Sequence, residues 1–126
     1  MLFACDFSED AILAFKNVLA FTDSFSAKLK LIYINTPYKS FKSTNEIEEK
    51  ISNFFFKSND TSQEVVIYDD YTIEQGLLNY SQKGGFDLLA IPTRGRKPFL
   101  HFLLGSRSIG EDVANHANIP VLTIKI

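Results

Sequence analysis

The sequence predicts an α/β fold in which a mostly parallel sheet of five strands carries helices on both faces. Three observations support this prediction. Short apolar runs alternate with amphipathic segments at the spacing of βαβ units. The run from Leu29 to Ile34 is apolar almost throughout, which is typical of a strand covered on both faces. Capping residues and glycines mark the ends of the amphipathic segments.

The apolar run Leu2–Cys5 predicts the first strand. Ser8 follows as the predicted N-cap of a first helix, with acidic residues in the first turn where the helix dipole favours them. This assignment leaves Asp6 free for another role. The helix should end between Ser24 and Ala27, just before the second strand, Leu29–Ile34.

Two capping boxes, Ser43-x-x-Glu46 and Thr72-x-x-Gln75, predict the starts of the second and third helices. Asp69-Asp70, which precedes the second box, is expected to be a solvated turn, with a place at the rim of a ligand pocket as the less favoured alternative. The remaining predicted elements are the third strand Glu64–Tyr68, a helix stop at Gly84-Gly85, the fourth strand Leu88–Ile91, a fourth helix from about Ser106 to Ala117, and the last strand Val121–Ile126.

Composition narrows the class of protein. The 126 residues, 45% of them apolar, predict a single domain over residues 1–126. The formal net charge of -2 gives no broad attraction for nucleic acids. Cys5 is the only cysteine, which excludes an intrachain disulfide and fits a reducing compartment. No apolar run approaches the ~20 residues that cross a bilayer. We expect a cytoplasmic protein that binds neither nucleic acids nor membranes.

The fourth predicted strand leads into a loop with Gly95 near its start and Gly105-Ser106 before a predicted helix. In α/β proteins this arrangement holds phosphates, because glycine lets the main chain approach the anion and the helix-start amides point at it. Arg107 adds a cation beside the second glycine. Ligands bind beyond the carboxyl ends of parallel strands, so we expect Asp6 to face this loop. Taken alone, the two glycines would more simply be turn residues.

Three segments resemble the universal stress protein family: LFACDFSEDAILAFKNVLAF, LKLIYIN and FDLLAIPTRGRKPFLHFLLGSRSIGEDVANHANIPVLTIKI. The resemblance implies a doubly wound, Rossmann-like sheet. Nucleotide-binding members carry a glycine, two residues, a glycine, nine residues, and then a glycine followed by Ser or Thr. Gly95, Gly105 and Ser106 match the second half of this pattern, whereas Pro92 stands where the family has its first glycine.

The resemblance also implies a ligand. It indicates an adenine nucleotide, ATP with or without magnesium, bound as a regulatory ligand in a stress response, with slow ATP hydrolysis at most. Matched to the family, Asp6 would contact the base or ribose, and Ile34 would lie beside the adenine. The other positions implied are Ala4 and Cys5 in the adenosine pocket, and Gly95, Gly105, Ser106 and Ser108 at the phosphates, with Arg107 as a further phosphate neighbour that replaces a small apolar residue.

Pro92 leaves an alternative open. Proline has no N–H to donate, and its ring occupies space that a glycine would leave to the nucleotide. The alternative is a dimeric interaction module of the same fold that binds no nucleotide. An adenylyl-transfer enzyme is a third possibility, although it would need more chain for a second substrate. We expect a homodimer through the apolar strand Val121–Ile126, where family members commonly pair.

Overall fold

The computed structural model describes residues 1–37, 42–60, 63–93 and 118–125. These ranges contain five strands and three helices. In chain order they are β1 (Leu2–Ala4), α1 (Ala11–Ser24), β2 (Lys30–Asn35), α2 (Thr44–Ser58), β3 (Glu64–Asp69), α3 (Ile73–Lys83), β4 (Leu89–Thr93) and β5 (Val121–Lys125). The predicted helix from Ser106 to Ala117 lies outside the described residues.

The strands form one sheet in the order β3-β2-β1-β4-β5, and every neighbouring pair is parallel. The chain moves outward from β1 to β3 and then crosses back to β4 on the other side of β1. The order therefore reverses between β1 and β4, which is where sheets of this kind bind ligands. This topology confirms the predicted α/β fold.

Two apolar cores cover the two faces of the sheet. Side chains alternate along β1, so that Phe3 points into one core and Leu2 into the other. The first core contains Phe15 of α1 and Phe54 of α2, and the second contains Leu77 of α3. Helices therefore cover both faces, as the doubly wound prediction requires. In the described ranges, no helix combines the length and apolar character that crossing a membrane requires.

Both capping boxes begin helices as predicted. The Ser43 hydroxyl accepts a hydrogen bond from the Glu46 amide (3.3 Å) and donates one to the Glu46 carboxylate (3.1 Å). The Thr72 hydroxyl accepts from the Gln75 amide (3.1 Å). At the other end of α3, Gly85 adopts a left-handed φ of 66°. These signals are local, so the sequence alone specifies them.

The prediction that Ser8 caps α1 is wrong. The helix begins at Ala11 after Asp10, which makes no side-chain capping hydrogen bond. The Ser8 hydroxyl instead donates to Asp6 Oδ1 (2.7 Å), and the Ser8 amide donates to the same oxygen (3.0 Å). Asp6 is therefore not left free by Ser8, because its carboxylate accepts both the hydroxyl and the amide of Ser8.

Several strand ends differ from prediction by one or two residues, and two of these differences bear on the site. β1 ends at Ala4 rather than Cys5, and β4 extends through Pro92 to Thr93. Proline was not expected inside a strand, since it cannot donate to a ladder. The position of Pro92 bears directly on the candidate site.

Helix α3 crosses β2 closely at Gly76. A Cβ added there would lie 2.7 Å from Ile34 Cγ2 and 2.8 Å from Ile34 Cδ1. Alanine is the better helix former by about 1 kcal/mol, but overpacking a core costs about 1–3 kcal/mol. We therefore expect Gly76→Ala to lower the free energy of unfolding by about 1 kcal/mol, measured by urea denaturation. In an Ile34→Ala background the same change should become neutral or stabilising. Stabilisation in the wild-type background would contradict this packing.

Candidate functional site

The ladder between β1 and β4 ends earlier than the ladders on either side of it. β1 pairs with β4 only through Leu2 with Leu89 and Phe3 with Ala90. Its pairing with β2 extends one residue further, through Ala4 with Ile32, and the Cys5 amide donates to the Ile32 carbonyl (3.0 Å). β4 continues in register with β5 through Thr93. We call this end of the β1–β4 ladder, where the strand order reverses, the divergence of the two strands.

Pro92 lies at this divergence. Leu2 donates from its amide to the Leu88 carbonyl (2.9 Å), and Leu89 donates to the Pro120 carbonyl (3.0 Å). Main-chain groups alternate along a strand, so even-numbered residues of β4 face β1 and odd-numbered ones face β5. The Pro92 nitrogen therefore faces the β1 side, two residues beyond the last pair with β1. Proline has no N–H with which to continue the ladder to β1, and it offers no donor at the edge where a ligand would lie.

The loop between β1 and α1 carries Asp6 two residues beyond the carboxyl end of β1. Asp6 is half-buried, and its Oδ1 accepts both donors of Ser8. The Asp6 carbonyl accepts a hydrogen bond from Lys50 Nζ of α2 (3.2 Å). Hydrogen bonds within the loop and one hydrogen bond from α2 therefore hold its conformation.

Phe7 adopts a left-handed conformation with φ of 57°. Such a conformation costs a residue other than glycine about 1–2 kcal/mol. The ring is buried and packs edge-on against Phe54 (centroids 5.2 Å apart) and Phe55 (6.2 Å), beside Tyr33. Ring burial offsets the backbone cost. Sequence reasoning missed the left-handed conformation, because a single phenylalanine in a sequence indicates only a core residue.

The matched apolar positions divide between the two faces of the sheet. Ala4 and Ile34 belong to one core, whereas the Cys5 side chain belongs to the other, beside Phe7. The Cys5 thiol accepts a hydrogen bond from the Phe7 amide (Sγ to N 3.4 Å). Burial raises the pKa of the Cys5 thiol far above its usual value, which keeps the thiol neutral and unreactive. Only the main chain of Cys5 is available to line a ligand site on the side of Ala4.

Tyr33 lies near the Asp6 loop. Burial raises the pKa of its phenol, and the carboxylates of Asp6 and Glu46 raise it further. The phenol therefore remains protonated at neutral pH. Together with Cys5, it contributes a neutral group rather than a nucleophile or base.

An open cleft of about 390 Å³ lies at the carboxyl ends of β2 and β3, lined by Asn35, Pro37, Asp69, Asp70 and Tyr71. Two of these side chains already make hydrogen bonds to other parts of the protein. The Asn35 amide exchanges two hydrogen bonds with the main chain of Lys42 (both 3.2 Å). The Asp70 carboxylate accepts from the Tyr71 amide (2.7 Å) and from Asn79 (2.9 Å). The exposed Asp69 and Tyr71 side chains are available to contact a ligand.

Sequence reasoning favoured a solvated turn for Asp69-Asp70 over the alternative of a pocket rim, and gave Tyr71 no role. The cleft favours the alternative, and the signal for it was the position of these residues directly after a strand of a parallel sheet. The predicted phosphate positions Gly95, Gly105, Ser106, Arg107 and Ser108 lie outside the described residues, so their roles stay predictions. Among the described residues, no group of three or more His, Cys, Asp or Glu side chains could hold a metal ion.

Comparison with known proteins assigns the family. The model of the universal stress protein family matches residues 1–125. The chain belongs to the universal stress protein family. No curated protein matches it by sequence.

Solved structures resemble this universal stress protein chain over nearly its whole length. The structure of hypothetical protein MJ0577 is 25% identical, with a TM-score of 0.72, and the match covers 99% of this chain and 94% of that one. A universal stress protein in complex with cAMP is 19% identical (TM-score 0.67, coverage 98% and 93%). A universal stress protein from Archaeoglobus fulgidus is 18% identical (TM-score 0.68, coverage 98% and 96%). These likenesses support the Rossmann-like fold described above.

The left-handed turn at Phe7 predicts an unusual order of stabilities. Phe7→Ala and Phe7→Gly both remove the ring, at a cost of about 3–5 kcal/mol. Glycine avoids the left-handed penalty of about 1–2 kcal/mol, and its greater backbone entropy when unfolded costs only about 0.5–1 kcal/mol. We expect Phe7→Gly to be the more stable of the two by about 0.5–1 kcal/mol in urea denaturation.

Phe15, in the middle of α1, is the matched control. There the alanine variant should be the more stable by about 1 kcal/mol, because glycine weakens a helix interior. If the alanine variant is the more stable one at both positions, Phe7 is not held in the left-handed conformation.

Proposed function

We propose that this universal stress protein binds an adenine nucleotide, with ATP as the first candidate, as a regulatory ligand in a stress response. The observation that carries the proposal is the divergence of β1 and β4 at the carboxyl edge, with Asp6 beside it. Ligands of doubly wound sheets bind at such a reversal of strand order. The structural neighbour in complex with cAMP supports an adenine nucleotide as the class of ligand.

In this proposal the described residues serve the nucleoside end. The Asp6 carboxylate accepts hydrogen bonds from ribose hydroxyls or from the base amino group. Ala4 and Ile34 supply apolar surface from one face of the sheet, and Cys5 contributes its main chain. In the proposal, the phosphates bind at the positions that the family resemblance implies, which are Gly95, Gly105, Ser106, Arg107 and Ser108. Magnesium binds together with ATP.

We infer a binding role rather than catalysis, with slow ATP hydrolysis at most. Phosphoryl transfer needs a positioned base or water-orienting group at the phosphate end. In the part of the chain that the structure describes, the titratable groups around the Asp6 loop are the neutral Cys5 and Tyr33, the hydrogen-bonded Asp6, and Lys50, whose ammonium donates to the Asp6 carbonyl. None of these is arranged as a general base toward a phosphate.

The family match over residues 1–125 supports a single functional domain. A cytoplasmic location is part of the proposal. The lone cysteine supports a reducing compartment, because the chain has no second thiol with which Cys5 could pair.

A second candidate function rests on Pro92. Its buried ring and missing N–H stand at the divergence, and they favour an interaction module that binds no nucleotide. The two candidates predict different effects of an added N–H donor at position 92 on the affinity for ATP.

Calorimetry with Mg-ATP on the wild type and Pro92→Gly separates the two candidates. We expect the wild type to bind, and Pro92→Gly to bind about ten-fold more tightly, because one restored N–H to a charged group contributes roughly 1.5 kcal/mol. Pro120→Gly, which adds an N–H at the opposite edge of the sheet, is the matched control and should leave affinity unchanged. A heat of binding for Pro92→Gly with none for the wild type would support the interaction module. No heat from either protein at millimolar ATP would remove the ligand proposal.

We also propose that two copies pair through the strand Val121–Ile126. The sheet has two edges, β3 and β5. Antiparallel pairing of β3 about a two-fold axis would place Glu64 opposite Asp69 of the partner subunit, and these like charges repel. β5 carries a single charge, at Lys125, and half-buried Val121 and Leu122. The edge at β5 is therefore the better surface for self-association.

The dimer predicts a mass of twice the 14.3 kDa chain in light scattering at micromolar concentration. Because Leu89 donates to the carbonyl of Pro120, odd-numbered residues of β5 turn their amides outward. Thr123→Pro removes an outward donor without breaking the ladder to β4, and should give monomers. Thr123→Val keeps the N–H and should remain dimeric. A wild type that runs as a clean monomer would remove the dimer proposal.

A further inference from the structure

A lysine from a distant element holds the loop that carries Asp6. Lys50 is a half-buried residue of α2, and its ammonium donates to the main-chain carbonyl of Asp6 (3.2 Å). A hydrogen bond from a charged donor is about twice as strong as one between neutral groups. The contact therefore ties the loop between β1 and α1 to the helix that covers the same face of the sheet.

The conformation that Lys50 holds is one that the loop would not adopt by itself. Phe7 directly follows Asp6 and lies in the left-handed region, with φ of 57°. Residues held in sparsely populated backbone regions persist only when the surrounding structure fixes them. The Phe7 ring against Phe54 and Phe55 fixes one side of the turn, and the Lys50 ammonium on the Asp6 carbonyl fixes the other.

The direction of the Asp6 side chain depends on the same turn. Oδ1 of Asp6 accepts the amide (3.0 Å) and the hydroxyl (2.7 Å) of Ser8, the residue after Phe7. Both hydrogen bonds close only while Phe7 remains left-handed, because that residue sets the path of the chain between them. A loop that relaxed at Phe7 would release the Asp6 carboxylate from its present position.

We propose that Lys50 is a positioning residue for the ligand site. It holds the carbonyl of Asp6, thereby maintains the left-handed turn at Phe7, and so presents the Asp6 carboxylate at the divergence of β1 and β4. The effect on ligand binding rests on the proposed nucleotide function, whereas the effect on the loop does not. Lys50 acts through Asp6 and needs no contact with the ligand.

The experiment compares Lys50→Met, which keeps the stem and loses the ammonium, with Lys50→Arg, which keeps the cation. Amide hydrogen exchange measures the loop, and calorimetry measures binding of ATP and of uncharged adenosine. We expect Lys50→Met to speed exchange of the Ser8 amide about ten-fold while core amides of β2 exchange at the wild-type rate. Both ligands should bind about five- to ten-fold more weakly. Lys50→Arg should restore both readouts.

Lys16→Met is the matched control, because it removes one charge from an exposed position of α1. If Ser8 exchanges in Lys50→Met as it does in Lys16→Met, Lys50 does not hold the loop. A loss for ATP without a loss for adenosine would show direct attraction of phosphate, and would overturn positioning. If the wild type binds neither ligand, the proposed function fails, and Ser8 exchange alone decides whether Lys50 holds the loop.

Discussion

The site depends on one constraint, which is that β1 is shorter than the strands on either side of it. Its residues are fully buried in the centre of the sheet, and they pair with β2 and β4 at the same time. Its pairing with β4 ends at Phe3 with Ala90, whereas its pairing with β2 continues through Ala4. The chain beyond Ala4 leads directly to Asp6, and Pro92 lies two residues beyond Ala90.

Pro92 shows how the sheet and a ligand place different demands on one position. Proline is excluded from the middle of a sheet because it cannot donate to a ladder. At position 92 the missing N–H ends the ladder toward β1, whereas the pairing with β5 continues through Thr93. A ligand at the divergence would find a ring and a carbonyl where glycine would offer an amide. The substitution therefore acts on the ligand edge rather than on stability.

Local signals in the sequence predicted local structure well. The capping boxes at Ser43 and Thr72 and the stop at Gly85 depend on residues close in the chain, and each appears as expected. The order of the strands in the sheet, however, was not predicted. Alternating apolar runs indicate a parallel sheet but do not say which strands are neighbours.

The candidate site was harder to predict, because its geometry depends on competition and on distant contacts. Ser8 had two possible partners, a helix start and Asp6, and the sequence does not say which prevails. The left-handed turn at Phe7 and the contact from Lys50 come from residues packed together by the fold. The predicted phosphate positions, led by Gly105 and Ser106, lie outside the described residues and stay predictions.

The most direct test of the account is a titration of isotope-labelled protein with Mg-ATP, followed by amide chemical shifts. The account predicts saturable shifts at the carboxyl ends of the central strands, around Asp6, Ile34 and Thr93, with little change at the opposite edge around Lys30 and Leu89. Shifts confined to that opposite edge, or no shifts at millimolar ATP, would contradict it.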